Sequence, residues 1–205
     1  MEQRSEEWYA ERAGKVTASR ISDILAKRKS GGFSSMRENY KAQLANERWT
    51  GEPAEEMFQS KDMLRGAELE PQAVAVYEFY RNVDVAKIGF INHPSIPFAG
   101  CSPDGLVGDD GMIEVKCPNL NTHINTLMTR EIDATYLNQM DFQMACSGRQ
   151  WVDFVSYHPA VPEKARLFVK RIERNDERIA YIEREVQIFN GEVERLANRL
   201  KEMFP

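Results

Sequence analysis

Six consecutive residues, Met112-Ile113-Glu114-Val115-Lys116-Cys117, constrain this chain more than any other stretch. In a β-strand, side chains alternate across the sheet, so Ile113, Val115 and Cys117 point to one side while Glu114 and Lys116 share the other. Two turn signals precede it, Ser102-Pro103-Asp104-Gly105 and Gly108-Asp109-Asp110-Gly111. A three-residue loop, Asp109-Asp110-Gly111, with Gly111 supplying a positive φ, would join this strand to a partner at 105–107 as a hairpin. That register puts Asp104 opposite Lys116 and on the face of Glu114.

Two carboxylates a few ångströms apart form a hard-oxygen site suited to Mg²⁺ or Mn²⁺. A nearby ammonium can orient or deprotonate a water and offset charge that builds on a phosphate. The pattern Asp-x9-Glu-x-Lys is nevertheless weak by itself. A Glu and a Lys on an exposed strand are usually a solvated pair worth about 0–1 kcal/mol, so the surrounding chain has to decide.

That chain predicts a mixed α/β domain. Ser5-Glu6-Glu7 opens a helix, and Ile21, Ile24 and Leu25 continue a helical pattern that stops at Ser30-Gly31-Gly32. A second helix runs over 35–49 and ends at Gly51, with Met36, Tyr40 and Leu44 on one face. A third covers 60–80, with Pro71 expected to kink or divide it beside Glu70. Strands are expected at 83–91, 98–102, 112–117, 151–157 and 166–172, in a mostly antiparallel group. Two helices fall between the third and fourth of these, the second over 134–146. A terminal helix over 175–203 carries Ile182, Val186, Phe189, Val193, Leu196 and Leu200 in steps of four and three, a stripe that packs on its own domain or at a subunit interface.

The 205 residues suit a single domain, 1–205, with no repeat or linker to divide it. No run approaches a membrane span, and the charged N-terminus has no apolar signal segment, which predicts a cytoplasmic protein. Cys101, Cys117 and Cys146 form no paired motif and read as small core residues. His93, His123 and His158 have no metal-ligand spacing, His93 and His158 each preceding a proline, and no Gly-rich phosphate loop is present. The net charge of −5 is acidic for a protein that meets nucleic acid. Charge placement counts for more than the sum, and basic stretches such as Lys27-Arg28-Lys29 exist.

Taken in order, five motifs resemble the lambda exonuclease (YqaJ-like viral recombinase) family of the PD-(D/E)xK nuclease superfamily. They are Trp8 followed by Arg12-x-Gly14-x-x-Thr17-Ala18-Ser19; Gly66-x-x-x-Glu70 with Tyr77-Glu78; Ser102-Pro103-Asp104-Gly105-Leu106; Glu114-x-Lys116-Cys117-Pro118; and Tyr136-x-x-Gln139-x-x-x-Gln143. The resemblance implies a restriction-endonuclease-like core, a central mixed sheet flanked by helices with an N-terminal helical region and a long C-terminal helix. It implies an Mg²⁺-dependent (Mn²⁺ possible) exodeoxyribonuclease that degrades one strand of linear duplex 5′ to 3′, with two ions held by Asp104, Glu114 and the Val115 backbone carbonyl.

Residue by residue, the resemblance makes Asp104, Glu114 and Lys116 the catalytic core, with Glu70 a further carboxylate and Gln139 a helper at the nucleophile. Arg12, Ser19 and Ser102 match positions that hold the 5′ phosphate. Gln143 shares the face of Gln139 and supports the site. Arg28, Lys29 and an apolar residue near Met63 fall where the family contacts DNA and wedges strands apart. The family also has an Arg shortly after the E-x-K motif, whereas Asn119-Leu120-Asn121-Thr122-His123 has none before Arg130, leaving His123 or Lys116 to compensate. Relatives form three-membered rings and work with a single-strand annealing protein of phage recombination in a bacterial host. The alternatives are an endonuclease of the same fold, for which no base-reading element is seen, and a non-catalytic DNA-end scaffold, which the presence of Asp104, Glu114 and Lys116 disfavours.

Overall fold

A computed structural model describes residues 3–28, 31–54 and 61–205, with side chains from residue 64 onward in the last stretch. The Ser5 hydroxyl accepts from the Trp8 N–H and starts α1 (Glu6–Arg12), as the Ser-Glu-Glu signal predicts. Strand β1 (Val16–Thr17) then leads through a 3-10 turn at Ala18–Arg20 into α2 (Ile21–Leu25). α2 is shorter than expected, because the chain turns into a small hairpin at the Lys27–Phe33 bridge. Ser34 caps α3 (Ser35–Thr50), and Gly51, at φ +79°, ends it.

The next element, α4 (Lys61–Arg81), is one helix with Pro71 inside it, so the proline does not divide it. Proline removes one backbone donor, but Ala73 and Tyr77 just beyond it are fully buried, and their packing sustains the helix past it. The single strand expected over 83–91 is two short ones, β2 (Val85–Ala86) and β3 (Ile91–Asn92), which join different sheets. Then follow β4 (Ala99–Cys101), β5 (Gly105–Val107), β6 (Gly111–Lys116), α5 (Leu120–Thr129), α6 (Ala134–Ser147), β7 (Trp151–Tyr157), β8 (Leu167–Glu173) and α7 (Asp176–Met203).

Five strands form the main sheet in the order β2-β5-β6-β7-β8, and a smaller sheet runs β1-β4-β3. The β6–β7 and β1–β4 pairs are parallel, so the architecture is more mixed than the antiparallel group the strand order suggested. A parallel pair needs a crossover, which α5 and α6 supply. The hairpin register also differs from expectation. Gly105 pairs with Ile113 and Val107 with Gly111, so Asp104 continues the ladder opposite Glu114, not Lys116. The loop is Gly108-Asp109-Asp110, with the positive φ at Gly108. Gly111 lies in the strand, where a Cβ would come 2.0 Å from the Trp151 ring.

Both faces of β6 are covered. Ile113 and Val115 meet Ala73, Tyr77, Val155 and Tyr157, while Met112 joins the larger core built on α2, α3, α6 and α7. Glu114 and Lys116 therefore point under α6 instead of into solvent. The α7 stripe packs on the same domain: Ile182, Val186, Phe189 and Val193 are fully buried, with α3 and α6 against them. All three cysteines are free and buried, and no described helix is long and apolar enough to cross a membrane.

Candidate active site

Asp104 stands just before β5, and its Oδ2 accepts the Val115 N–H at 2.6 Å, tying the turn to β6. Two residues apart on that strand, Glu114 and Lys116 lie side by side, with Nζ 2.5 Å from Glu114 Oε1. Helix α6 closes over them. Gln139 donates Nε2 to the same oxygen at 2.8 Å and offers Oε1 to Lys116 at 3.5 Å. Gln143, one turn on, donates to Glu114 Oε2 at 2.6 Å. The Tyr136 ring lies 4.9 Å from Nζ.

The electrostatics follow from burial. Desolvation first and the Glu114 charge second hold the Asp104 carboxyl well above the ordinary carboxylate range. Burial alone would lower the Lys116 ammonium, but the charges of Glu114 and Asp104 outweigh it and hold the lysine protonated. Cys117 is pushed up to about 11 by burial and by Glu70 and Asp104, so its thiol is not a nucleophile here.

These groups open onto a cleft of about 1560 Å³ whose wall includes Asp104, Val115 and Lys116, with Glu70 from α4 facing them. Glu70 is held by Arg4 at 2.6 Å. Along the same cleft lie Arg12 and Ser19, with Ser102 behind them. The Arg12 guanidinium sits 4.0 Å over the Trp8 ring and donates to Ser102 Oγ at 3.4 Å, while Trp8 Nε1 donates to that oxygen at 2.9 Å. Ser19 Oγ is 3.4 Å from Thr17 Oγ1. Burial lowers the Arg12 pKa, and no carboxylate among the described residues pairs with it. A half-buried guanidinium backed by hydroxyls is a site for an anion.

The donor chemistry of Asp104 and Glu114 fits a hard divalent cation. Two crowded carboxylates share one close ammonium, and an added cation would relieve their repulsion. No group of three His, Cys, Asp or Glu residues among those described could hold a metal by side chains alone.

The YqaJ-like viral recombinase domain matches residues 7–150. The chain belongs to the YqaJ-like viral recombinase family. A solved alkaline exonuclease from Laribacter hongkongensis, LHK-Exo, is 47% identical, with each chain covered over 97% of its length and a TM-score of 0.90; the same protein has been solved in complex with dAMP. A phage-related exonuclease from Haemophilus somnus shares the fold at 20% identity, covering 91% of this chain and 96% of its own, with a TM-score of 0.72. No curated protein matches the chain. Membership in this family and these neighbours make the protein a nuclease with the restriction-endonuclease-like fold.

Other residues are placed differently from the sequence reading. Arg28 is exposed in the 27–33 hairpin and does not line the cleft. Lys29 and the Met63 side chain lie outside the described residues, although the next residue, Leu64, is apolar and faces the cleft. His123 cannot stand in for the missing Arg: it is fully buried, with its two ring nitrogens at Ser156 Oγ (2.8 Å) and Ala165 O (2.9 Å). Sequence reasoning missed Arg65, which lines the cleft and donates to the Cys117 and Pro118 carbonyls at 3.0 Å each, directly behind the E-x-K motif. Its place immediately before Gly66-x-x-x-Glu70 was the available signal. Arg4 also went unread, since nothing local marks it as the partner of Glu70.

Proposed function

We propose that this protein is a metal-dependent exonuclease that degrades one strand of linear double-stranded DNA from its 5′ end to mononucleotides, leaving a 3′ single strand for annealing recombination. The observation that carries this reading is one cleft lined by Asp104 and Lys116, with Glu114 bonded to Lys116 beneath it, and by Arg12 and Ser19, with Ser102 at hydrogen-bond reach of Arg12. An anion pocket beside a hydrolytic group suits an enzyme that grips a terminal phosphate and cuts the next linkage.

In this reading Arg12, Ser102 and Ser19 hold the 5′ phosphate, Arg12 through its charged fork. Lys116, kept protonated by its two carboxylates, orients the attacking water and offsets charge on the scissile phosphate. Gln139 holds Glu114 and Lys116 in register, and Glu70 can turn from Arg4 toward the water. Two Mg²⁺ or Mn²⁺ ions held by Asp104, Glu114 and the Val115 carbonyl would supply an activated water and a Lewis acid for the phosphoryl oxygens. The dAMP complex of the neighbouring exonuclease supports mononucleotide release, since dAMP is a deoxynucleoside monophosphate. The same reading includes a ring of three copies, an annealing-protein partner and work in the cytoplasm of a bacterial host.

The test is digestion of linear duplex labelled at one 5′ or one 3′ end, beside closed circles, with Mg²⁺ or EDTA. Metal-dependent loss of 5′ nucleotides, intact circles, and a fall of about 10²–10⁴-fold in Lys116→Ala are expected. Cleaved circles would make the protein an endonuclease on the same chemistry. No cleavage in any metal would make it a scaffold.

A further inference from the structure

The Glu114 carboxylate is bracketed by two amides one helical turn apart on α6, and they differ in kind. Gln139 touches both Glu114 and Lys116, and Lys116 lines the cleft. Gln143 is fully buried and, through its side chain, touches only Glu114, donating Nε2 to Oε2 at 2.6 Å. Its own Oε1 is buried and has no hydrogen-bond partner among the described residues.

An orphaned carbonyl in a core costs stability, and Met140, Phe142 and Met144 around it show that apolar side chains fill this part of α6. Rotating the amide gives no relief, because it would set Oε1 against a carboxylate oxygen, two acceptors face to face. The side chain therefore has one usable orientation, fixed by Glu114, and it fixes Glu114 in return. Oε1 of Glu114 has two donors, Lys116 and Gln139, whereas Oε2 has Gln143 alone. Without that one bond the carboxylate can rotate about its terminal torsion, which is intrinsically soft.

We propose that Gln143 is a positioning residue whose single hydrogen bond locks the carboxylate plane of Glu114 for cation binding. This rests on the reading of Asp104 and Glu114 as the metal site. A buried amide acting only through Glu114 is expected to change metal affinity without touching DNA.

The experiment is calorimetric titration of Mn²⁺ into the metal-free protein for the wild type, Gln143→Leu, Gln143→Met, Glu114→Gln and the double variant Glu114→Gln/Gln143→Leu, with thermal unfolding of each. Expected are at least a 10-fold weaker Mn²⁺ affinity in both Gln143 variants, a cooperative unfolding transition that shows at least one of them folded, and no further loss when Gln143→Leu is added to Glu114→Gln. Non-additivity of that kind marks two residues acting as one unit. Wild-type Mn²⁺ affinity in a folded Gln143 variant, or an equal loss in the Glu114→Gln background, overturns the role of Gln143 and leaves the metal site standing. No Mn²⁺ uptake by the wild type overturns the metal site, and this proposal with it.

Discussion

Arg12 keeps its charge where burial works against it, with an aromatic face below, one hydroxyl at hydrogen-bond reach and no carboxylate among the described residues in ion-pair contact. A guanidinium so placed gains most from a doubly charged phosphate, and its fork makes geometry matter as well as charge. Arg12→Lys keeps the charge and loses the fork. Its KM for 5′-phosphorylated duplex is expected to rise about 10- to 100-fold, the range of a lost charged hydrogen bond, while ends bearing a 5′-hydroxyl change little. Steady-state kinetics on the two substrates checks this, and an equal loss on both removes Arg12 from the phosphate. At this scale the sequence was informative where alternation spoke: Glu114 and Lys116 share a face of β6 as read. The opposition of Asp104 to Lys116 was wrong because two glycines flank the turn, and the sequence does not say which takes the positive φ. Only the Trp151 ring, which leaves no room for a side chain at position 111, settles it in favour of Gly108. Arg4 was illegible because its partner lies 66 residues away in the chain, and Arg65, with partners 52 and 53 residues away, was marked only by its place before Gly66.

Strand β6 is held from both sides, and two features of its neighbour β7 govern whether the site stays assembled. The Trp151 ring lies against Gly111 so closely that an added methyl must displace it. Gly111→Ala is expected to cost about 1–3 kcal/mol by overpacking, lowering the unfolding temperature by roughly 2–10 °C for a chain of this size; an unchanged melting curve would show that the ring yields freely. Asp153, fully buried on β7, is the other feature. Burial raises its pKa, but bonds from Arg171, Tyr77 and Arg81 prevail and hold the carboxyl below its ordinary value. A folded pKa below the unfolded one means that the unfolded chain binds more protons in the interval between them, so stability rises with pH there. The contribution is complete above about pH 3.9 and is lost as pH falls through the folded value. Urea unfolding between pH 3 and 7 is expected to show this acid loss in wild type and a flatter limb in Asp153→Asn, which is less stable at pH 7. Elements with long periodic patterns, α3, α6 and α7, were legible at their observed bounds to within a residue or two. The short strands β2 and β3 were not, since two residues carry no period and their separation into two sheets is decided by partners remote in sequence.

Charge at the scale of the molecule is arranged against its sum. The whole chain carries −5, yet among the described residues Arg4, Arg12, Lys15, Arg20, Arg65 and Lys116 line the cleft against four carboxylates, Glu6, Glu47, Glu70 and Asp104. The cleft thus carries a positive balance on an acidic chain and favours a phosphate backbone there, which no composition value could have revealed. Engagement by such contacts weakens steeply with salt, because each neutralised phosphate releases counterions. In an open, single-copy enzyme, initiation and retention depend on the same contacts and fail together. A closed ring of three copies separates them, since threaded DNA cannot leave sideways however weak its contacts become. The two arrangements are told apart by starting digestion of long linear duplex at low salt and then raising the salt together with excess unlabelled competitor. With a ring, the mass in solution is three times the 23.6 kDa of one chain, new starts cease, and enzymes already threaded continue for many nucleotides. If digestion stops at once and the mass is that of a single chain, the cleft alone holds the DNA, and the ring has to be given up while the proposal of 5′-directed chemistry at Asp104, Glu114 and Lys116 is untouched by that result.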